Sequence, residues 1–448
     1  MKLTVIGGGG FRTPYIFEAL ASGTEPLVDE LALLDPSRKR LDAMSAVLAG
    51  LAIGKPFPPR VTLTTDPHAA IAGSDVVFTA VRVGGLEGRR TDERVASELG
   101  VLGQETTGPG GIAYSLRTVP VMVEYAQLIA DLAPHAWVLN FTNPAGIITE
   151  AMQAVLGERV IGVCDTPSSL VRRVCQIAGV DPLEVVPDYV GLNHLGWLRG
   201  LQHAGRDILP ALIADDAALA RLDEATIFGA EWIRALGAIP NEYLYYYYLN
   251  REAVQTAATR GDHLATTQNA LFSAISDHPD QALSLWRDAV QERNQTYMSH
   301  ARGDHPESAP RVSDEDLFIE GYAAVAVGVV RAMLQDEPAV AILNVRNGDT
   351  VAQLPPDAVI EVPCRVTAAG PEPVPITPPN LHQCGLIQQV KHVERLAIHA
   401  ALTGDALAAL SAFGLHPLVD SFSVANQLLD TYLAEQPELR GVLPRGRC

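Results

Sequence analysis

Cysteine is scarce in this chain of 448 residues. There are five, Cys164, Cys175, Cys364, Cys384 and Cys448. Their number is odd, they are scattered, and no C-x-x-C pair occurs. That excludes a disulfide framework and a structural zinc knuckle, and it points to a reducing compartment. Positive charge is also short: 33 Lys and Arg stand against 52 Asp and Glu, a net charge of -19. No basic stripe is left to neutralise phosphates, so neither nucleic acid nor an acidic membrane is an expected partner. Long apolar runs are missing, since none reaches the roughly 20 residues needed to cross a bilayer. The start, Met1 to Gly7, goes straight into a strand and its turn, with no stretch that reads as a signal peptide. A cytoplasmic protein is expected. The composition, 48% hydrophobic and 19% charged, is that of a globular chain. Its length implies about two or three domains.

What is present begins with glycine. Leu3 to Ile6 is a short apolar run, ended by Gly7-Gly8-Gly9-Gly10. Phe11-Arg12-Thr13-Pro14 follows, with Thr13 and Pro14 reading as the cap and first position of a helix to Ala21. A strand, a glycine turn and a helix N-terminus make an anion site, because the backbone can approach a pyrophosphate and the helix end supplies unpaired N–H groups. The next strand, Leu31 to Leu34, ends in Asp35, an acid placed to bind a ribose diol. It favours NAD over NADP. Arg38 lies close enough to soften that preference.

Further strands are expected at Val61 to Thr64, Asp75 to Ala80, Ala136 to Leu139 and Val160 to Val163. Helices are expected at Ser115 to Leu132, Ala145 to Leu156 and Ser168 to Ala178. This alternation means an α/β fold, with an N-terminal doubly wound parallel sheet of Rossmann type over residues 1–196. A mixed α+β domain for substrate and oligomerisation takes 197–448. There, Ala341 to Val345 and Val359 to Val366 read as antiparallel strands. Helices are expected from His382 to Thr403, Asp405 to Phe413 and Ser421 to Leu433. Tyr243, Tyr246 and Tyr247 would share a face of one helix. Ser299 to Ser313 reads as an exposed loop.

Three motifs follow apolar runs: Asn140-Phe141-Thr142-Asn143-Pro144, Gly162-Val163-Cys164-Asp165-Thr166-Pro167 and Gly191-Leu192-Asn193-His194-Leu195-Gly196-Trp197. Ligands of open parallel sheets sit at strand C-terminal ends. Cys164 and His194 would then reach one crevice from one sheet edge. A thiolate and an imidazole bind a divalent transition metal, and two protein ligands leave positions open for substrate oxygens. A lone buried Cys or His is usually a core residue, and the two at one edge bring the ligand reading level with that one. Two loops face the same side. The first, from Val81 to Arg90, carries arginines suited to a phosphate or carboxylate, or simply a solvated helix start. The second, from Gly103 to Gly111, holds Glu105, which can accept hydrogen bonds from sugar hydroxyls or cap the next helix.

On these residues the chain resembles family 4 of the glycoside hydrolases, the NAD- and metal-dependent exception to two-carboxylate hydrolysis. Arg82-x-Gly84-Gly85, Gly103-Gln104-Glu105-Thr106, Asn140-Phe141-Thr142-Asn143-Pro144, Cys164-Asp165-x-Pro167 and Asn193-His194 occur in the family's order. The resemblance returns at Asn241 to Tyr247 and from Ala341 onward. It implies that Cys164 and His194 hold Mn2+. It makes Glu105, Asn143 and Asn193 contacts of the sugar, and Arg89 the partner of a 6-phosphate. Tyr243 would be the base and Asp165 a general acid. The glycine loop Gly7 to Phe11, with Asp35 and Arg38, would bind NAD. The implied substrate is a small sugar phosphate, such as cellobiose 6-phosphate, and the implied assembly is a homodimer or homotetramer.

The chemistry is coherent. Hydride removal at C3 of the sugar acidifies the C2 proton, Tyr243 takes that proton, and the aglycone leaves from C1. Water then adds and the hydride returns. A phenol with a reference pKa near ~10 serves as base beside a metal. Asp165 is a departure from the phospho-β branch, which often has Asn there, and matches phospho-α members. Phe318-Ile319-Glu320-Gly321-Tyr322 places an acid where the family tends to carry a base. Both anomers, and a non-phosphorylated sugar, therefore stay open. So do an NAD-dependent hydroxy-acid dehydrogenase and an inactive NAD-binding sensor on the same fold.

Overall fold

Period-two burial builds the centre of the molecule. In the computed structural model, residues 1–256, 260–295, 322–335 and 337–444 are described. Strands β1 (Lys2–Ile6), β2 (Glu30–Leu34), β3 (Arg60–Thr64), β4 (Val76–Thr79), β5 (Trp137–Asn140) and β6 (Val160–Gly162) pair in parallel. Their order is β3-β2-β1-β4-β5-β6, that of the doubly wound nucleotide-binding fold. Successive residues alternate between its faces. Val5, Leu33, Phe78 and Leu139 pack into one apolar cluster. Ile6, Leu34, Val77 and Val138 pack into the other. Each face is covered by helices, which is why these strands read as almost unbroken apolar runs.

The sheet does not stop at β6. The long strands β11 (Ala339–Arg346) and β12 (Val359–Thr367) continue it, followed by the hairpin β7 (Val185–Leu192) and β8 (Leu195–His203). Three short strands, β9 (Arg206–Asp207), β10 (Ile239–Pro240) and β13 (Gly370–Pro373), pair at its margins. The antiparallel pair expected after residue 340 is present. It is inserted between β6 and β7 rather than lying in a separate sheet. The division expected at residue 196 falls inside β8, within the hairpin.

Some expectations shift. Thr13 is not a cap. It lies inside the helix Thr13–Ala21, and its hydroxyl donates back to Gly8 O at 2.9 Å. The helix expected from Ser115 begins at Pro109 and runs to Leu132. The tyrosine run breaks into a 3₁₀ turn, Glu242–Leu244, and a helical turn, Tyr245–Tyr248. Tyr243 and Tyr246 are neighbours at 6.0 Å between ring centres, whereas Tyr247 lies against His416 at 6.2 Å. Ser299 to Ser313 and Glu320 lie outside the described residues.

One buried ion pair ties two helices of the first 132 residues to Gln436 near the other end of the chain. Arg117, on Pro109–Leu132, meets Asp92, on the helix Gly85–Glu98, through Nη1–Oδ1 at 2.8 Å and Nη2–Oδ2 at 2.5 Å. Both side chains are fully buried. Arg117 Nε donates to Val83 O at 3.0 Å, and Gln436 Nε2 donates to Asp92 Oδ1 at 2.7 Å. Removing one partner leaves a buried charge unmatched. Arg117→Met is therefore expected to cost about 3–5 kcal/mol in denaturant unfolding, and a loss below about 1 kcal/mol would contradict this account.

His416 gives a pH prediction. Its Nδ1 accepts from Leu418 N at 3.1 Å, and burial pulls its pKa from 6.5 to about 3. Between those values the unfolded chain binds a proton that the folded chain refuses, so stability falls as pH drops from about 6.5. His416→Asn keeps an acceptor for Leu418 N and removes the titration. The stability difference between the two proteins should shrink as pH falls through this window, and a constant difference in urea melts would refute the assignment.

Candidate active site

The glycine turn packs between three strands. Gly7, at φ +91°, leaves no room for a side chain, since a Cβ would lie 2.4 Å from Ala80 O. Gly7 N and Gly8 N both donate to Leu34 O at 2.8 Å. Gly10 N closes the turn by donating to Gly7 O at 2.9 Å. Gly9 N donates to Asp35 Oδ2 at 3.2 Å, and a Cβ on Gly9 would lie 2.8 Å from that oxygen. Asp35 Oδ1 accepts from Ser37 N at 2.9 Å. The acid after β2 thus faces the loop, where a ribose acceptor belongs. The cradle and its acid fit a dinucleotide. Phe11 O accepts from Trp286 Nε1 at 3.0 Å.

Arg38 turns outward to Asp42 Oδ1 at 2.9 Å and is largely exposed. The guanidinium on the loop is that of Arg40, whose Nε donates to Gly9 O at 3.2 Å and which stacks over Phe272. Residues two apart on a helix are about 200° apart. Choosing Arg40 over Arg38 needed the start of the helix Arg38–Ala52, which the sequence does not display.

Cys164 and His194 do not leave parallel strands at one edge, as expected. β7 runs opposite to β6 through the two strands between them. His194 arrives instead on the two-residue turn of the β7–β8 hairpin, at φ +63°. That left-handed backbone is costly outside glycine and marks a constrained position. Asn193 pins the turn, because its Oδ1 accepts from Ala145 N, at the start of the helix Ala145–Leu156, at 3.0 Å. The helix start thus takes the Asn193 side-chain oxygen. Asn143, half-buried beside it, makes no side-chain hydrogen bond among the described residues, which leaves its amide for a ligand.

His194 Nδ1 bonds Thr106 Oγ1 at 2.9 Å, leaving Nε2 for a metal. Burial pulls its pKa down to about 3, so the ring is neutral, as a ligand must be. Cys164 is buried, and its Sγ donates to Thr166 Oγ1 at 3.6 Å. Burial, then the charges of Glu361 and Asp165, push its thiol well up. Among the described residues, no three His, Cys, Asp or Glu side chains gather as a metal cage. A soft thiolate with one imidazole suits a transition ion that keeps open positions. The Tyr243 ring stacks on His194, with 3.7 Å between centres and planes 1° apart. Asp165 is half-buried. Burial raises its pKa, against Arg12, Arg172 and Arg293.

Glu105 is the centre of the charge. Arg82 and Arg89 both pair with it, Arg89 Nη1 at 2.8 Å from Oε2. Arg89 Nε also meets Glu93 Oε1 at 2.7 Å. Burial alone would raise the Glu105 carboxyl, but Arg82 and Arg89, then Arg293 and Arg12, hold it well below the carboxylate range. Arg293 is pushed down to about 9 by burial and by Arg12, Arg260 and Arg89. Arginine stays charged in proteins, so such crowding favours a bound anion. Sequence reasoning missed Arg12, Arg260 and Arg293. Arg12 stood beside the glycine run and could have been found. Arg260 and Arg293 lie on helices with no local signal.

A parallel sheet whose first strand ends in a glycine cradle, with an acid after the second, defines a Rossmann-type protein. The comparisons sharpen that class. Residues 2–180 match the model of family 4 glycosyl hydrolases, and residues 189–419 match that of the family 4 glycosyl hydrolase C-terminal domain. The chain belongs to this family. It is 32% identical to a probable 6-phospho-beta-glucosidase of Bacillus subtilis (strain 168), over 97% of this chain and 96% of that protein. The 6-phospho-beta glucosidase of Thermotoga maritima, solved with manganese, NAD+ and glucose-6-phosphate, superposes with a TM-score of 0.81 at 26% identity, over 98% of this chain and 99% of that one. A 6-phospho-alpha-glucosidase from gut microorganisms, in complex with NAD and Mn2+, gives 0.78 at 26% identity, over 98% of both chains.

Gly9→Ala is expected to push Asp35 and Arg40 off the loop. NAD affinity in calorimetry should fall about tenfold or more, the value of one good contact. Unchanged affinity would place the cofactor elsewhere.

Proposed function

We propose that the protein is an NAD- and Mn2+-dependent 6-phospho-β-glucosidase. The observation that supports the sugar phosphate is the gathering of Arg12, Arg82, Arg89 and Arg293 around the buried carboxylate Glu105, with Arg260 acting on Arg293. The relatives bound to NAD, Mn2+ and glucose-6-phosphate support the cofactors. The β preference draws on the 32% identical relative. Asp165 speaks for the α-anomer, so a 6-phospho-α-glucosidase is the second reading.

Gly7, Gly8, Gly9, Gly10, Phe11 and Asp35 hold the dinucleotide, and Cys164 and His194 hold the metal. When bound, the dinucleotide accepts and returns a hydride at C3 while the metal draws charge from the neighbouring oxygens. This chain's residues do the rest. The arginines fix the 6-phosphate, and Asn143 takes a sugar hydroxyl. Glu105 keeps the arginines oriented. Tyr243, held flat on His194, takes the C2 proton on its phenol oxygen. Asp165, its carboxyl raised by burial, gives a proton to the departing aglycone oxygen. Leu407, Leu415 and Phe422, exposed on the C-terminal helices, supply apolar surface for a homodimer or homotetramer. Light scattering that shows a monomer would refute that assembly.

The deciding assay is chromogenic release from aryl α- and β-glucoside 6-phosphates beside their unphosphorylated parents, with and without NAD+ and Mn2+. Release from the β-phosphate alone, dependent on both cofactors, is expected. Release from the α-phosphate alone would establish the second reading, and NADH accumulating on a hydroxy acid instead would make the protein a dehydrogenase. Arg293→Met should raise KM for the phosphorylated substrate about 10–100-fold, the value of a charged hydrogen bond.

A further inference from the structure

Glu361, on β12, is a completely buried carboxyl that enters the account above only through its charge on Cys164. It belongs to a row across four strands: Gly162 on β6, Asn344 on β11, Glu361 on β12 and Gly191 on β7. The row therefore runs from just before Cys164 to just before His194. Both Glu361 oxygens accept. Asn344 Nδ2 donates to Oε1 at 2.9 Å, and the Tyr189 hydroxyl donates to Oε2 at 3.1 Å. The Tyr189 oxygen in turn accepts from Asn241 Nδ2 at 3.2 Å. Asn241 Oδ1 accepts from Tyr243 N at 3.0 Å. Tyr189 and Asn241 are as buried as Glu361. The Tyr189 hydroxyl fits only because residue 196 is glycine, whose Cβ would lie 2.3 Å from it.

The relay has a direction. Burial raises the Glu361 pKa to about 7, and above that pH its carboxylate can only accept, so Tyr189 donates to it. Its oxygen is then left to accept, which turns the Asn241 amide nitrogen toward it. The Asn241 carbonyl oxygen is left facing Tyr243 N, with no freedom to flip. Tyr243 N, itself only a donor, asks for the same Asn241 orientation, so Glu361 and the turn hold that amide from both ends, next to the ring that stacks on His194. We infer that Glu361, Tyr189 and Asn241 form a positioning relay that sets Tyr243 for removal of the C2 proton. The inference rests on reading Tyr243 as the base. The three residues touch neither substrate nor cofactor in this role.

The test compares Tyr189→Phe, Glu361→Gln and Tyr243→Phe in the NAD- and Mn2+-loaded enzyme, with an aryl 6-phosphoglucoside unlabelled or deuterated at C2 or C3. Tyr189→Phe removes only the hydroxyl. Glu361→Gln offers one acceptor to two donors. Each is expected to lower kcat about 10–100-fold, as a small misplacement of a reacting group does. For Tyr189→Phe, which leaves the Glu361 charge beside Cys164 in place, KM and the NAD and Mn2+ affinities should stay within about twofold. The C2 isotope effect should rise relative to the C3 effect, because only the proton step is impaired. If Tyr189→Phe does not fold, Asn241→Asp serves, since it keeps the acceptor for Tyr243 N and deletes the donor to Tyr189. A kcat within about twofold of wild type overturns the relay, as does a loss shared equally with cofactor affinity or an unchanged isotope ratio. Tyr243→Phe separates the two failures. If it is inactive while Tyr189→Phe is active, the relay alone fails. If it is active, the base assignment and the relay fall together.

Discussion

The crevice depends on one carboxylate among too many guanidiniums. Glu105 pairs with Arg82 from the loop after β4 and with Arg89 from the following helix, so one side chain joins three separate backbone segments. Without it, Arg82 and Arg89 would lose a shared partner, and the repulsion among Arg12, Arg89 and Arg293 would be less offset. With it, the cluster is held in place but still carries net positive charge. That is the useful state for a site that must order an anion without collapsing in its absence. The desolvation that makes such a cluster costly also makes an anion placed there strongly held.

Much of this was legible in the sequence, for identifiable reasons. Backbone requirements were visible because only glycine meets them, so Gly7 to Gly10 and the acid Asp35 stood out. Buried parallel strands were visible as apolar runs. Residues whose role depends on rotation about a helix were not. Arg38 and Arg40 are indistinguishable until the first helical residue is known, and Arg260 and Arg293 reach the crevice only through packing of distant helices. The insertion of β11 and β12 between β6 and β7 left no local trace either, because pairing partners are not written into a strand's own pattern. Glu361 was hidden for the same reason.

The route by which His194 reaches the site changes how its position is understood. The end of a parallel strand would have offered it on regular backbone. The hairpin turn offers it on a left-handed one, pinned by Asn193 at one side and covered by the Tyr243 ring at the other. Neutrality of the imidazole follows from that enclosure, and so does its orientation through Thr106. Order at this point is therefore tertiary. It is made by the start of the helix Ala145–Leu156, the loop before Pro109–Leu132 and the turn Glu242–Leu244 together.

The insertion of β11 and β12 also bears on synthesis. Gly162 on β6 waits for Asn344 on β11, and Gly191 on β7 waits for Glu361 on β12. At about 5–20 residues per second, a ribosome needs roughly 10–35 s to deliver the missing strands. During that interval two apolar strands have open edges, the surfaces on which chains stick to one another. A nascent chain of this design is exposed late and for long, so its yield in a crowded cell depends on holdase chaperones more than the stability of the finished molecule suggests.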